Sequence, residues 1–143
     1  MTSLRIEGLD ELNKTLSELS DKFEQEAGKL VNRTAQNIRT NAINLIRTPS
    51  MGDAYEKYNP RRTHIASKAG DAPNTDTGRL MSSLNVTRSG SATAEVVANV
   101  EYAAWLELGT TKMKARPFMT PALEQERPNY ERGLRELAKR AAK

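Results

Sequence analysis

Residues Val100–Leu123, VEYAAWLELGTTKMKARPFMTPAL, hold the only Trp, one of the two Phe and two of the six Pro. Tyr102 to Leu108 gives about two turns of helix in which Tyr102, Trp105, Leu106 and Leu108 outnumber the polar residues. Gly109 stops it, because the position just past a helix often takes the left-handed conformation that Gly adopts without penalty. Lys112, Lys114 and Arg116 then make a short basic loop, and Pro117-Phe118 pins that loop to something apolar. Trp105 and Phe118 are expected to anchor the loop in the core from its two sides. Thr120-Pro121 reads as N-cap and first position of a new helix, since Pro lacks only an N–H that would be free there.

Just before this stretch lies the clearest β pattern. Leu84 and Val86 alternate with Asn85 and Thr87, Ser89-Gly90-Ser91 turns, and Ala94, Val96, Ala98 and Val100 share one face of the return strand. Such alternation predicts a hairpin with one buried face. Thr77 to Ser83 predicts a weak helical turn ahead of it.

The N-terminal third is helical by period. Leu9, Leu12, Leu16, Leu19 and Phe23 fall three or four apart, and the stripe continues through Ala27, Leu30, Val31, Ala35, Ile38, Ala42, Leu45 and Ile46. Ser20-Asp21 reads as a break and re-cap between two helices, with Gly28 a weak point within the second, and a single bent helix is the alternative. The stripe is expected to pack on a sheet of the same chain, being too irregular for a stand-alone coiled coil. Pro49 closes the helix by Thr48, and Ser3 to Glu7 predicts a short edge strand.

Residues 49–76 carry Pro49, Gly52, Pro60, Gly70 and Pro73 without a sustained apolar period. This predicts a long flexible loop, of a length that is usually functional or disordered. Its Tyr55, Tyr58, Arg61, Arg62, His64 and Lys68 suit contact with phosphates or a protein partner. The last helix shows Leu123, Tyr130, Leu134, Leu137 and Ala141 at helical spacing, with Pro128 expected to kink or split it.

At 143 residues the chain is expected to be a single domain, 1–143. The fold class predicted is α+β: N-terminal helices and a kinked C-terminal helix on a small, mostly antiparallel sheet centred on the 84–100 hairpin. With no Cys, there is no disulfide frame and no thiolate ligand or nucleophile. No apolar signal core opens the chain and no run suits a membrane span, so no membrane association and a cytoplasmic site of synthesis are expected. The net charge of +4 is unevenly placed: residues 111–143 hold nine Lys/Arg against four Asp/Glu, which makes a basic C-terminal face.

YAAWLELGT followed by ARPFMTPAL resembles the tail-completion or neck proteins of long-tailed bacteriophages. The resemblance rests on Tyr102, Ala103, Glu107, Gly109 and Thr110, then on Ala115, Pro117, Phe118, Pro121 and Ala122. Thr77-Gly78-Arg79-Leu80 is similar to that family's Thr-Gly-x-Leu segment. It covers the C-terminal half well, and the N-terminal helical half by pattern alone. It implies a structural virion protein of the neck or tail top that acts in tail completion and head–tail joining. It further implies a homo-oligomeric ring, with six copies as the number considered, in contact with other phage neck and tail proteins. Its places would be the host bacterial cytoplasm during assembly and the virion afterwards.

Chemistry reads thinly. His64 is the sole histidine, in the predicted loop, and a zinc site or a triad needs a rigid constellation. No phosphate-binding Gly pattern occurs, and no cofactor, metal or catalytic residue is predicted. Glu101 and Glu107 lie six apart around a short helix and do not face each other as i,i+4 neighbours would. Glu107 is read as structural, accepting from Thr110 and Thr111 or pairing with Arg116. Lys112, Lys114 and Arg116 form either a solvated connection or a contact arm. The rival function is a small basic nucleic-acid-binding module, with weak DNA contact through phosphates. Base-stacking aromatics are scarce at 5%. A small hydrolase or nuclease using Glu101 or Glu107 is the third reading.

Overall fold

The computed structural model describes residues 9–142. The edge strand expected at Ser3 to Glu7 lies outside them. Four helices and four strands follow in the order α1 (Leu9–Arg47), β1 (Ala54–Tyr58), β2 (Arg61–Ile65), α2 (Arg79–Ser82), β3 (Leu84–Gly90), β4 (Thr93–Ala98), α3 (Tyr102–Leu108) and α4 (Met119–Ala141). The class is α+β, with two separate two-stranded antiparallel sheets, β1–β2 and β3–β4.

α1 is one helix of 39 residues, so the break considered at Ser20-Asp21 does not occur. Ser and Asp cost an exposed helix interior only a few tenths of a kcal/mol relative to better formers. Its buried residues Gly28, Ala35, Ile38, Ala42 and Ile46 keep to one face, against α4 and the β3–β4 hairpin. Thr48 ends it, its N–H and hydroxyl both donating to the Asn44 carbonyl ahead of Pro49. Gly28 is a contact point: a Cβ there would lie 2.2 Å from the Ser91 carbonyl oxygen, so only a residue without one lets the hairpin tip touch the helix.

The expectation that the whole stripe packs on its own chain fails for the first half. Leu9, Leu12, Leu16, Leu19 and Phe23 are all exposed, and every residue from Leu9 to Glu26 is solvent-facing. The last turns of α4 reach only as far along α1 as Glu26 and Leu30. Beyond them, among the described residues, the tip of the β3–β4 hairpin touches α1 at Glu24 through Ser91, and the side chains of the stripe from Leu9 to Phe23 stay exposed.

The 49–76 segment also differs from the loop expected of it. It contains the β1–β2 hairpin, registered from Ala54 opposite Ile65 to Tyr58 opposite Arg61, with Asn59-Pro60 in the turn. Its strands show almost no apolar alternation, which is why the pattern was silent. They are held instead by backbone pairing and by ionic contacts around Asp76.

The core sits where the C-terminal half of α1 meets the rest: Ile38, Ala42, Ile46, Leu80, Leu84, Ala103, Phe118 and Ala122 cluster there. The β3–β4 hairpin matches its sequence pattern, pairing Leu84 with Ala98 and Val86 with Val96. α4 runs unbroken through Pro128 rather than splitting. Glu126, buried in its middle, accepts from Asn37 Nδ2 of α1 at 2.8 Å and Asn129 Nδ2 at 3.1 Å. These bonds satisfy a carboxylate that would otherwise be costly to bury between two helices.

Candidate functional site: the α3–α4 corner

α3 and the start of α4 form a tight corner built by the residues of the opening motif. Gly109 terminates α3 with φ 77°, its N–H donating to the Trp105 carbonyl at 2.9 Å. A side chain there would be strained by that φ, and its Cβ would fall 2.8 Å from the Ala115 nitrogen. The chain then folds back on itself: Thr110 and Met113 exchange backbone bonds of 2.7 and 3.3 Å, and the Arg116 N–H donates to the Leu106 carbonyl at 2.6 Å. The Thr110 hydroxyl accepts from the Lys112 and Met113 N–H groups at 3.2 and 3.1 Å. The loop is therefore fixed at both ends and braced within.

Glu107 holds the corner to α4. Oε2 accepts from the N–H groups of Phe118 and Met119 at 2.8 and 3.0 Å, and Oε1 from Thr120 at 2.8 Å. The first four N–H groups of a helix lack intrahelical partners. In α4 these belong to Phe118, Met119, Thr120 and Pro121, and Pro121 has no N–H. One carboxylate from another helix thus satisfies all that exist, and its negative charge also suits the positive end of the α4 dipole. Burial works to raise the Glu107 carboxyl, but hydrogen bonds from Thr120, Phe118 and Met119 outweigh it and hold the group below its ordinary value. The partners of Glu107 are thus these N–H groups rather than the Thr110, Thr111 or Arg116 expected from the sequence. Thr120 is not the N-cap: α4 starts at Met119, with Phe118 at the cap and Glu107 supplying the acceptor from outside.

The two expected anchors separate. Phe118 is 1% exposed and among the largest side chains fully buried. Trp105 is 55% exposed and Leu108 80%, three residues apart on the outer face of α3. Trp105 is thus a surface residue and not a core anchor. Ala103, one position past Tyr102, supplies the buried face of α3 instead. The basic loop divides in the same way. Lys112 and Lys114 are exposed, and neither pairs with a described carboxylate. Arg116 is half-buried and donates from Nε to the Ser67 carbonyl at 3.2 Å, tying the corner to the segment after β2. Gly70 adds a second tie, its N–H donating to the Ala115 carbonyl at 2.9 Å.

A cleft of about 410 Å³ opens beside this tie, lined among others by Lys57, His64, Ser67, Asp76, Arg79 and Arg116. Asp76 organises it, accepting from Lys57 Nζ at 2.5 Å and from Arg62 Nε and a terminal guanidinium nitrogen at 2.9 and 3.0 Å. The hydrogen bonds from Arg62 and Lys57 hold its carboxyl well below the usual carboxylate range. His64 lies 3.8 Å away through Nδ1. Asp76 is thus engaged as the ionic clasp of the β1–β2 hairpin. Asp76 and Glu126 were missed by sequence reading. Lone carboxylates without a periodic context carry no signal until the fold supplies their partners. Among the described residues no group of three His, Cys, Asp or Glu is placed to hold a metal ion, and no helix is long and apolar enough to cross a membrane.

The chain is thus an α+β protein whose motif residues build a hydrogen-bonded corner with an exposed outer face. A family model described as "Bacteriophage HK97-gp10, putative tail-component" matches residues 10–109. That span covers more than two thirds of the chain, and the protein belongs to this family of phage tail components. The match takes in α1, which resembled the family only by pattern, and it ends at Gly109, short of the Ala115–Ala122 motif. No curated protein and no solved structure matches the chain.

Proposed function

We propose that this tail component is a non-enzymatic structural protein of the neck or tail top, which completes the tail and allows it to join a filled head. It works by assembling into a homo-oligomeric ring that contacts neighbouring neck and tail proteins. The reading is supported chiefly by the use made of Glu107. The carboxylate that a hydrolase would need free is spent on three α4 N–H groups. The result is a braced corner that presents Trp105, Leu108, Lys112 and Lys114 to solvent. Closed rings arise when one surface of a subunit fits a different surface of the next, and a rigid corner with apolar and cationic groups side by side is suited to be one of the two.

The rival nucleic-acid-binding reading finds less support in α4. Arg127 pairs with Glu124 at 2.8 Å, Arg135 with Glu131 at 3.9 Å, and Arg132 contacts Asn129 at 2.5 Å. Cations interleaved with carboxylates along a solvated helix make a poor phosphate track. The test is assembly in the absence of the protein. Heads and tails made without it should accumulate separately, and purified protein should restore joining in vitro, as counted by electron microscopy. Normal joining without it, or tight salt-dependent DNA binding by a monomer, would overturn the reading.

A further inference from the structure

We propose that the exposed first half of α1 is an assembly arm that docks, head to tail, on the Trp105–Leu108 face and the Lys112/Lys114 loop of a second copy of this chain. The proposal rests on the ring reading above and names the two surfaces that would build it.

Leu9 to Phe23 spans about 22 Å of helix at 1.5 Å per residue. Its stripe of four Leu and one Phe has the period of a buried face, yet it is exposed along its whole length. Among the described residues nothing covers it, and the arm is continuous with the half of α1 that is packed down on α4 and the β3–β4 hairpin. Near its root the Glu24 carboxylate accepts from the Ser91 hydroxyl, which fixes the direction in which the arm leaves.

Charge selects the occupant. Between Leu9 and Glu26 the arm carries six carboxylates against two lysines. Glu11 and Glu18, seven residues apart, share one flank of the stripe. At a Debye length of about 10 Å in ~0.1 M salt, charges around a helix ~10 Å across act on whatever the stripe touches. Two arms facing each other would repel, which disfavours a symmetric arm-to-arm dimer. The corner offers the complement: an indole and an isobutyl group in the open, beside two lysines with no described carboxylate partner. An acidic apolar arm meeting a basic apolar corner is a heterologous contact, the kind that closes into a ring.

The experiment compares full-length variants by light scattering and native mass spectrometry, with circular dichroism confirming helix content. Two damage opposite surfaces: an arm variant (Leu12→Ser, Leu16→Ser, Leu19→Ser) and a corner variant (Leu108→Ser, Lys112→Glu, Lys114→Glu). The parent should form particles of several 15.9 kDa chains, and each variant alone should be a monomer. Mixed one to one, they should yield a species of two chains, because one intact arm and one intact corner remain. A second pair alters charge alone. Glu11→Lys with Glu18→Lys, and Lys112→Glu with Lys114→Glu, should each weaken association at least tenfold, and the four changes in one chain should restore it. The proposal is overturned if the arm variant assembles like the parent, if the mixture stays monomeric, or if the four-fold variant is not restored. It is equally overturned if the arm variant keeps its oligomer and loses only a different phage protein or DNA. A closed ring that survives in the arm variant would sink the arm and leave the ring. Head-to-tail pairing that grows without closing would do the reverse.

Discussion

Oε2 of Glu107 accepts the N–H of Phe118 at 2.8 Å, joining the last turn of one helix to the cap position of the next across the loop between them. The contact is the hinge pin of the corner, because the neighbouring N–H groups of Met119 and Thr120 converge on the same carboxylate. Glu107→Ala should cost ~1–3 kcal/mol, the range of a lost cap and of hydrogen bonds to a charged group. Differential scanning calorimetry would show this as a drop in Tm of several degrees.

Acid should erase that difference. The folded-state carboxyl lies below its ordinary value, so its contribution is complete above the unfolded value near ~4.3 and is lost as pH falls through the folded one. The Tm gap between parent and Glu107→Gln should therefore be constant from pH 6 to 8 and narrow below about pH 4.3. A gap that widens on acidification would mean that Glu107 is not the charged cap of α4.

Phe118 and Trp105 should now behave oppositely under truncation. Phe118 is fully buried among Ile46, Leu84 and Ala122, and removing such an aromatic typically costs ~3–5 kcal/mol, a large share of a domain's ~5–15 kcal/mol margin. Trp105→Ala removes a half-exposed ring and should leave Tm within a degree or two of the parent. Chemical denaturation of both variants decides it. A Trp105→Ala variant that melts as early as Phe118→Ala would return Trp105 to the core.

Much of the fold was legible where a period or a stop signal existed. The β3–β4 hairpin, the bounds of α3 and the role of Gly109 follow from alternation, helical spacing and a left-handed φ. Three other features are settled only by the tertiary packing. A helical stripe marks a face that wants covering but does not say which chain covers it, so Leu9–Phe23 reads like Ala35–Ile46. The outward turn of Trp105 depends on Ala103 taking the buried face. The β1–β2 hairpin is drawn together by Asp76, eleven residues beyond its last strand residue, and no local pattern announces that.

Asp76 should accordingly control the hairpin. Asp76→Asn removes the charge that draws in Lys57 and Arg62. Backbone amides of 54–65 should then exchange faster, and limited proteolysis at neutral pH should cut between Tyr55 and Lys68. In the parent the carboxylate contribution is complete above the ordinary value near ~3.9 and fades only in strong acid, since Arg62 and Lys57 hold the folded carboxyl far below it. The parent hairpin should thus still be protected at about pH 3.5. Equal protection in Asp76→Asn would show that strand pairing alone holds the segment.

The cations of the α3–α4 loop should separate fold from function. Arg116 reaches the Ser67 carbonyl from a half-buried position, so Arg116→Ser should cost ~1–2 kcal/mol and loosen the tie between the corner and the segment after β2. Lys112 and Lys114 touch no described carboxylate, and exposed cations contribute little to folding. Lys112→Ser with Lys114→Ser should melt with the parent. If the corner is a contact surface of the tail, this double variant should nevertheless fail to join heads to tails in vitro, while Arg116→Ser joins them once the temperature is low enough for it to be folded. Normal joining by the folded double variant would make the loop an ordinary solvated connection, and the contact surface would have to be sought elsewhere on the molecule.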